Sequence, residues 1–148
     1  MKNTSASRIR TAFYMRTSAT GTKGKSALEA QRHALQQWCR KLGYKLFRSY
    51  EDCGYYGNSP TRPGLQRLLK DATAGKFSYV LVHSLDRVCR CFRDMLFIIG
   101  QLQAQGIQLK SLRECCDTGT SEGTFMLGVV AAINEYERAK RYGQRPRR

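Results

Sequence analysis

The stretch FSYVLVHSL, residues 77–85, constrains the fold more than any other part of the chain. Its apolar residues run almost without interruption, and a strand of that kind has to be covered on both faces. Other segments fall into place around it. TAFYM (11–15) reads as a strand, YKLFRSYED (44–52) alternates as one, and IQLKSLRE (107–114) supplies another. Helical patterns lie between them. ALEAQRHALQQWCRKLG puts Leu28, Leu35, Trp38 and Leu42 at helical spacing before Gly43. LQRLLKDATAG predicts a short helix entered after Pro63 and stopped by Gly75, and FRDMLFIIGQLQAQG one that ends at Gly106. GTKGKS, CGYYGNSPTRPG and CCDTGTSEG read as loops. The last helix is expected from Ser121 or Glu122, carrying Phe125, Met126, Val129, Val130, Ile133 and Tyr136. Strands alternating with helices predict an α/β fold: three layers, a mostly parallel central sheet flanked by helices, and a long C-terminal helix. No internal repeat or interdomain linker is evident. The expected organisation is a flexible basic leader over 1–9, one domain over 10–142 and a basic tail over 143–148.

With 148 residues, of which 41% are hydrophobic, the chain can bury one real core. Its 26 Lys and Arg against 11 Asp and Glu leave a formal charge of +15. Such an excess repels itself in the folded state and points to a polyanionic partner. Nucleic acid is favoured over an acidic membrane surface, since no Lys-rich amphipathic helix with a Trp/Leu face appears. No segment has the length of a membrane span. Cysteines at 39, 53, 89, 91, 115 and 116 form no C-x-x-C pair, and neither His33 nor His83 stands at finger spacing from them. They read as small, often buried side chains, reduced in a cytosol.

In AFYMRTSAT (12–20) a strand ends on Tyr14, Arg16 and Ser18, which share one face because residues two apart do. Asp52 closes the second strand, with Arg62 in the loop after it. SLDRVCR brings Asp86, Arg87 and Arg90 after the third strand, the two arginines on one face of a helical turn. Glu137 and Arg138 sit late on the last helix. In α/β sheets, sites gather at strand ends. Taken singly, each arginine reads best as a solvated charge in a basic protein. Taken together they surround a serine with planar, permanently charged forks suited to phosphate oxygens. That is the setting of a nucleophile aimed at a phosphodiester, whose transition state gathers charge on the phosphoryl oxygens.

The motifs also carry a family resemblance. YMRTS is similar to the Tyr-x-Arg-x-Ser signature of the serine recombinase (resolvase/invertase) catalytic domain. DCGYYGNSPTRPGLQRLL resembles that family's D-x-G-x-S-G-x-x-x-x-R-P-G segment, LDRVCR its L-D-R-x-x-R, DTGTSEG its D-T-x-T-x-x-G turn, and AAINEYER its A-x-x-x-E-x-E-R run. The five stand in the family's order over residues of about 10 to 142, and the loop and D-T-x-T turn lean toward the large serine recombinase branch. The resemblance implies Ser18 as nucleophile, with Arg16, Arg87 and Arg90 as phosphate ligands and Arg62 and Arg138 as further basic positions. Asp86 and Glu137 match acids that orient arginines or assist proton transfer, and Tyr14, Gln31 and Asp52 match supporting positions. It further implies cleavage of double-stranded DNA through a 5′-phosphoserine link, strand exchange and resealing without metal, ATP or other cofactor. The implied setting is the cytoplasm of a prokaryotic cell or a phage or mobile-element context.

Several positions depart from the family pattern. Ala19 and a longer Gly/Lys loop separate Ser18 from Gln31, Tyr56 stands where Ser is common, and Ser84 replaces a frequent Lys. Gly143 and Pro146 are expected to break the last helix, which in the family continues and drives dimer or tetramer formation. Self-association is therefore expected to be weak here. Neither a helix-turn-helix nor a zinc ribbon is recognised. The chain then reads either as a catalytic domain or as a recombination-incompetent relative that binds DNA weakly or dimerises. A phosphate-handling enzyme for small substrates has little support, since no P-loop or nucleotide fingerprint occurs.

Overall fold

Strand β1, Arg10–Thr17, is buried from Thr11 onward and forms the centre of the molecule. The computed structural model describes residues 8–57, 59, 61–89 and 91–143, excepting the side chains of Phe92, Ala131, Asn134, Arg138 and Tyr142. β1 is flanked in parallel by β2 (Lys45–Cys53) and β3 (Tyr79–Val82). β4 (Gln108–Ser111) continues the sheet in parallel, and β5 (Cys116–Asp117) closes it antiparallel, giving the order β2-β1-β3-β4-β5. Helices α1 (Gly21–Leu42), α2 (Pro63–Thr73), α3 (Phe92–Ala104) and α4 (Ser121–Gly143) connect or follow these strands.

Alternation along β1 sorts the core into two layers. Phe13 and Met15 meet Leu81 of β3 and Leu28, Leu35 and Cys39 of α1 on one face. Ala12 and Tyr14 turn the other way, joining Val80, Val82 and Leu109 beneath α2, α3 and the first turns of α4. This explains why YVLV is apolar throughout: Leu81 serves one layer while Val80 and Val82 serve the other. The expected three-layer, mostly parallel architecture is the observed one.

Three details differ from the sequence reading. GTKGKS is helical, because Gly21 turns the chain at φ +62° and Gly24 then packs against the strand end. A Cβ at Gly24 would lie 2.5 Å from the Ala19 carbonyl oxygen, so this glycine is a packing residue and not a sign of a loop. CCDTGTSEG contains β5, two residues long and too short to show a period; Lys110 and Asp117 sit opposite each other and form an ion pair at 3.5 Å. Finally, β3 and β4 stop earlier than expected. Beyond them Leu112 and Arg113 donate backbone N–H bonds to the Val82 and His83 carbonyls at 3.0 and 2.9 Å, so the two loops run side by side. Residues 1–7 and 144–148, and with them most of the proposed leader and tail, lie outside the described residues.

Gly64, at the second position of α2, tests how tightly that helix abuts β2. Elsewhere in a helix, Gly→Ala gains about 0.5–1 kcal/mol. Here the added Cβ would sit 2.5 Å from the Glu51 carbonyl oxygen. Gly64→Ala is expected to lower stability by about 1–3 kcal/mol, whereas Gly100→Ala in α3, where nothing lies within 4 Å of the new Cβ, should raise it. Urea denaturation of the two variants checks the opposite signs.

Candidate active site

β1 outruns its neighbour: pairing with β3 stops at Tyr14, while pairing with β2 continues to Thr17. The side chain of Gln31, from α1, accepts a bond from the Arg16 amide at 3.3 Å and donates one to the Arg16 carbonyl at 3.0 Å. The Arg16 side chain, only 2% exposed, donates from all three nitrogens to backbone carbonyls. Nε reaches Arg87 at 3.1 Å, Nη1 reaches Tyr55 at 2.9 Å and Nη2 reaches Asp86 at 2.9 Å. One guanidinium thus joins the end of β1, the loop after β2 and the turn after β3. Its fork is turned into backbone and not toward an open space.

On the same face, one strand residue pair below, lies a second polar group. The Tyr14 hydroxyl donates to Asp52 Oδ2 at 2.8 Å, and Asp52 also accepts the amides of Gly64 and Leu65 at 2.7 and 3.0 Å. Asp52 therefore caps α2 from a neighbouring strand, since Arg62, the residue before that helix, makes no side-chain cap. Arg62 is 4% exposed; it donates to the Tyr14 hydroxyl at 3.3 Å, to the Val88 carbonyl and to Cys89 Sγ at 3.3 Å. Burial, reinforced by the Asp52 carboxylate, pushes the Tyr14 hydroxyl far above its ordinary pKa despite the nearby Arg62 charge. The phenol stays a hydrogen-bond donor.

The turn after β3 is a short 3-10 segment, Leu85–Arg87. Arg87 is half-buried, donates from Nη1 to the Arg16 carbonyl at 3.3 Å, and leaves its buried Nε without a partner. Asp86 is exposed and accepts the Ser84 hydroxyl. Its partial burial favours the neutral acid, but that bond and the Arg87, Arg16 and Arg113 charges outweigh it and hold the carboxyl below its ordinary pKa. Ser18 follows β1 in an exposed bend, and its hydroxyl has no hydrogen-bond partner among the described residues.

The structure brings Ser18, Arg16, Asp86 and Arg87 to one strand end, with Gln31 beside them and Tyr14, Asp52 and Arg62 beneath. Glu137 is exposed on α4, without a partner among the described residues. Leu127, ten residues earlier and about 15 Å along the axis, is the buried apolar anchor of that helix. Arg90 and the side chain of Arg138 lie outside the described residues. Sequence reasoning missed Ser84 and Glu114. Both Glu114 oxygens accept the Leu85 amide, at 3.0 and 3.3 Å, and Oε2 also accepts the Ser111 hydroxyl. The only sequence signal was an acid in a short turn of a chain poor in acids. Among the described residues, no three His, Cys, Asp or Glu side chains are grouped to hold a metal ion, and no helix is long and apolar enough to cross a membrane.

The family described as Resolvase, N terminal domain, matches residues 11–146. The chain belongs to that family. Within it, the chain is 40% identical over 83 residues to a probable DNA-invertase of Sinorhizobium fredii, covering 56% of this chain and 27% of that protein. Identity to the serine recombinase gin of Escherichia phage Mu is 35% over 82 residues, covering 55% and 42%. The chain thus spans less than half the length of these relatives. The N-terminal catalytic domain of TP901-1 integrase has the same fold, with a TM-score of 0.78 and 32% identity over 90% of this chain and 99% of that one. This likeness to an integrase domain agrees with the lean toward the large-recombinase branch.

The lowered pKa of Asp86 in the resolvase fold has a signed consequence. A carboxyl depressed by folding adds stability above its unfolded pKa, about 3.9, and loses that contribution as pH falls through the lower folded value. Asp86→Asn should therefore be less stable than the parent at pH 7, with the gap closing below about pH 4. Denaturant titrations at stepped pH check this; a gap independent of pH would show that charge is not its source.

Proposed function

We propose that this chain is the catalytic part of a site-specific DNA recombinase, in which Ser18 attacks a phosphodiester of double-stranded DNA. The observation that carries the reading is an exposed, uncommitted hydroxyl two residues beyond Arg16, on a bend whose base is pinned by Arg16 and Arg87. In the proposed step, Ser18 Oγ forms a bond to phosphorus and the bond from phosphorus to the 3′ oxygen breaks. The serine proton leaves to an acceptor, and the departing oxygen takes up a proton. The product is a 5′-phosphoserine and a free 3′-hydroxyl. The ester conserves the energy of the original linkage, so the reverse attack reseals the strand without a nucleotide cofactor or metal.

In this reading the roles divide by burial. Arg16 has spent its nitrogens on carbonyls, which supports a positioning role beside that of phosphate ligand. Arg87, whose Nε has no partner among the described residues, is the phosphate ligand with donor capacity left beside it. Arg90 and Arg138 are proposed as further ligands on family resemblance, Arg62 as a buried support and Asp86 as the group that orients Arg87. Glu137, exposed on α4, is proposed on family resemblance as an acid that orients arginines or assists proton transfer. The +15 charge supports DNA as partner.

Ser18→Ala should abolish covalent attachment to a suicide duplex while leaving thermal stability within about 0.5 kcal/mol, as for other exposed substitutions. Denaturing electrophoresis reads the adduct, and a persisting phosphoserine link in the variant would reassign the nucleophile.

Self-association is proposed to use α3 and α4, where Leu96, Phe97, Phe125, Met126, Ile133 and Tyr136 are exposed. Phe125 and Tyr136 are 70% and 68% exposed, an apolar surface that a lone domain does not need. Gly143 and Pro146 disfavour continuation of α4, by about 1 and 3 kcal/mol respectively. A monomer or weak dimer is expected at micromolar concentration. Sedimentation velocity tests this, and a tight dimer or tetramer would show that the present helix suffices.

A further inference from the structure

We infer that Glu114 is a positioning residue for the proposed reaction, acting through the Leu85–Arg87 turn; the inference rests on the recombinase reading above. The turn's own cap is unfilled. Ser84 precedes the turn but its side chain caps none of the turn's backbone amides, because its hydroxyl is given to the Asp86 carboxylate. The Leu85 amide at the start of the turn would otherwise be left without an acceptor. Glu114 supplies one from the neighbouring loop, with its oxygens at 3.0 and 3.3 Å from Leu85 N.

The carboxylate is itself held. Oε2 accepts the Ser111 hydroxyl at the end of β4, and the backbone between them is tied to β3 by the Leu112–Val82 and Arg113–His83 bonds. Glu114 therefore cannot follow the turn; the turn has to follow Glu114. What the turn presents is Asp86 and Arg87: the backbone carbonyls of both receive the Arg16 guanidinium, and the Arg87 fork returns to the Arg16 carbonyl. Two anchors from opposite sides, Arg16 from β1 and Glu114 from the loop after β4, thus fix the turn. Freeing one of them lets the Arg87 fork drift, and a displacement of about 1 Å at a reacting centre can cost about a hundredfold in rate.

Single-turnover adduct formation on a suicide duplex tests this, using the parent, Glu114→Ala, Glu114→Gln, Arg87→Lys and the Glu114→Ala/Arg87→Lys double variant. Duplex affinity and thermal midpoint are measured alongside. Glu114→Gln keeps an acceptor for Leu85 N and should remain near the parent rate. Glu114→Ala should slow the adduct about ten- to a hundredfold with affinity little changed, yet add little in the Arg87→Lys background, because both changes act through the same fork. An unchanged rate in Glu114→Ala, or an equal loss in both backgrounds, would overturn the role. If the parent forms no Ser18-dependent adduct, the recombinase reading fails separately. Amide hydrogen exchange then decides the role of Glu114: Glu114→Ala should speed exchange at Leu85, Arg87 and Val88, and unchanged exchange there would rule the anchor out.

Discussion

Everything at the strand end depends on the buried guanidinium of Arg16. A lone buried cation is costly, and the fold avoids that cost by offering it three backbone carbonyls and the nearby Asp86 carboxylate. Bonds that involve a charged partner are worth about 1.5–3 kcal/mol each, more than neutral ones. Because the acceptors belong to the loop after β2 and the turn after β3, satisfying one side chain ties both of them to the end of β1. A lysine could not do this: its single ammonium has no planar fork to meet carbonyls in three directions.

Strand periodicity sets the vertical order. Tyr14 and Arg16 share a face of β1, so the network of Tyr14, Asp52 and Arg62 lies directly below the Arg16 staple. Asp52 links the two levels to the helix layer, since its carboxylate bonds the first amides of α2 while taking the Tyr14 proton donor. The elevated Tyr14 pKa is the same fact seen from the phenol: ionising it would place a second negative charge against Asp52 inside the core.

Legibility in the sequence followed the range of the interactions. The parallel sheet was readable because burial on both faces leaves YVLV without polar interruptions, and α1 through its Leu28–Leu35 spacing. The first turn of α1 was not, because Gly24 is there for the Ala19 carbonyl and Cys53, partners remote from any local pattern. At the site, Ser18, Asp86 and Arg87 were placed together by their positions after β1 and β3. Nothing in YMRTS, however, tells that the Arg16 fork is spent on the carbonyls of residues 55, 86 and 87. Glu114 was silent for the same reason: its partners Leu85 and Ser111 meet it only once two loops run together. Glu137 shows the reverse case, a motif match that stands exposed on α4 with no bond to the strand-end network among the described residues.

The two unpartnered atoms complete the picture. Arg62 Nε and Arg87 Nε are buried without acceptors among the described residues, and they flank the same segment after β3. An unmade bond of this kind costs about 1–3 kcal/mol, which a fold optimised only for stability would have removed. Arg16, by contrast, bonds a carbonyl from each of its three nitrogens. In the proposed reaction the arginines would divide the work: Arg16, committed to backbone carbonyls, would position the turn, and Arg87 would keep donor capacity for the phosphate. Preorganised donors that need no rearrangement when charge develops are the most effective form of electrostatic stabilisation.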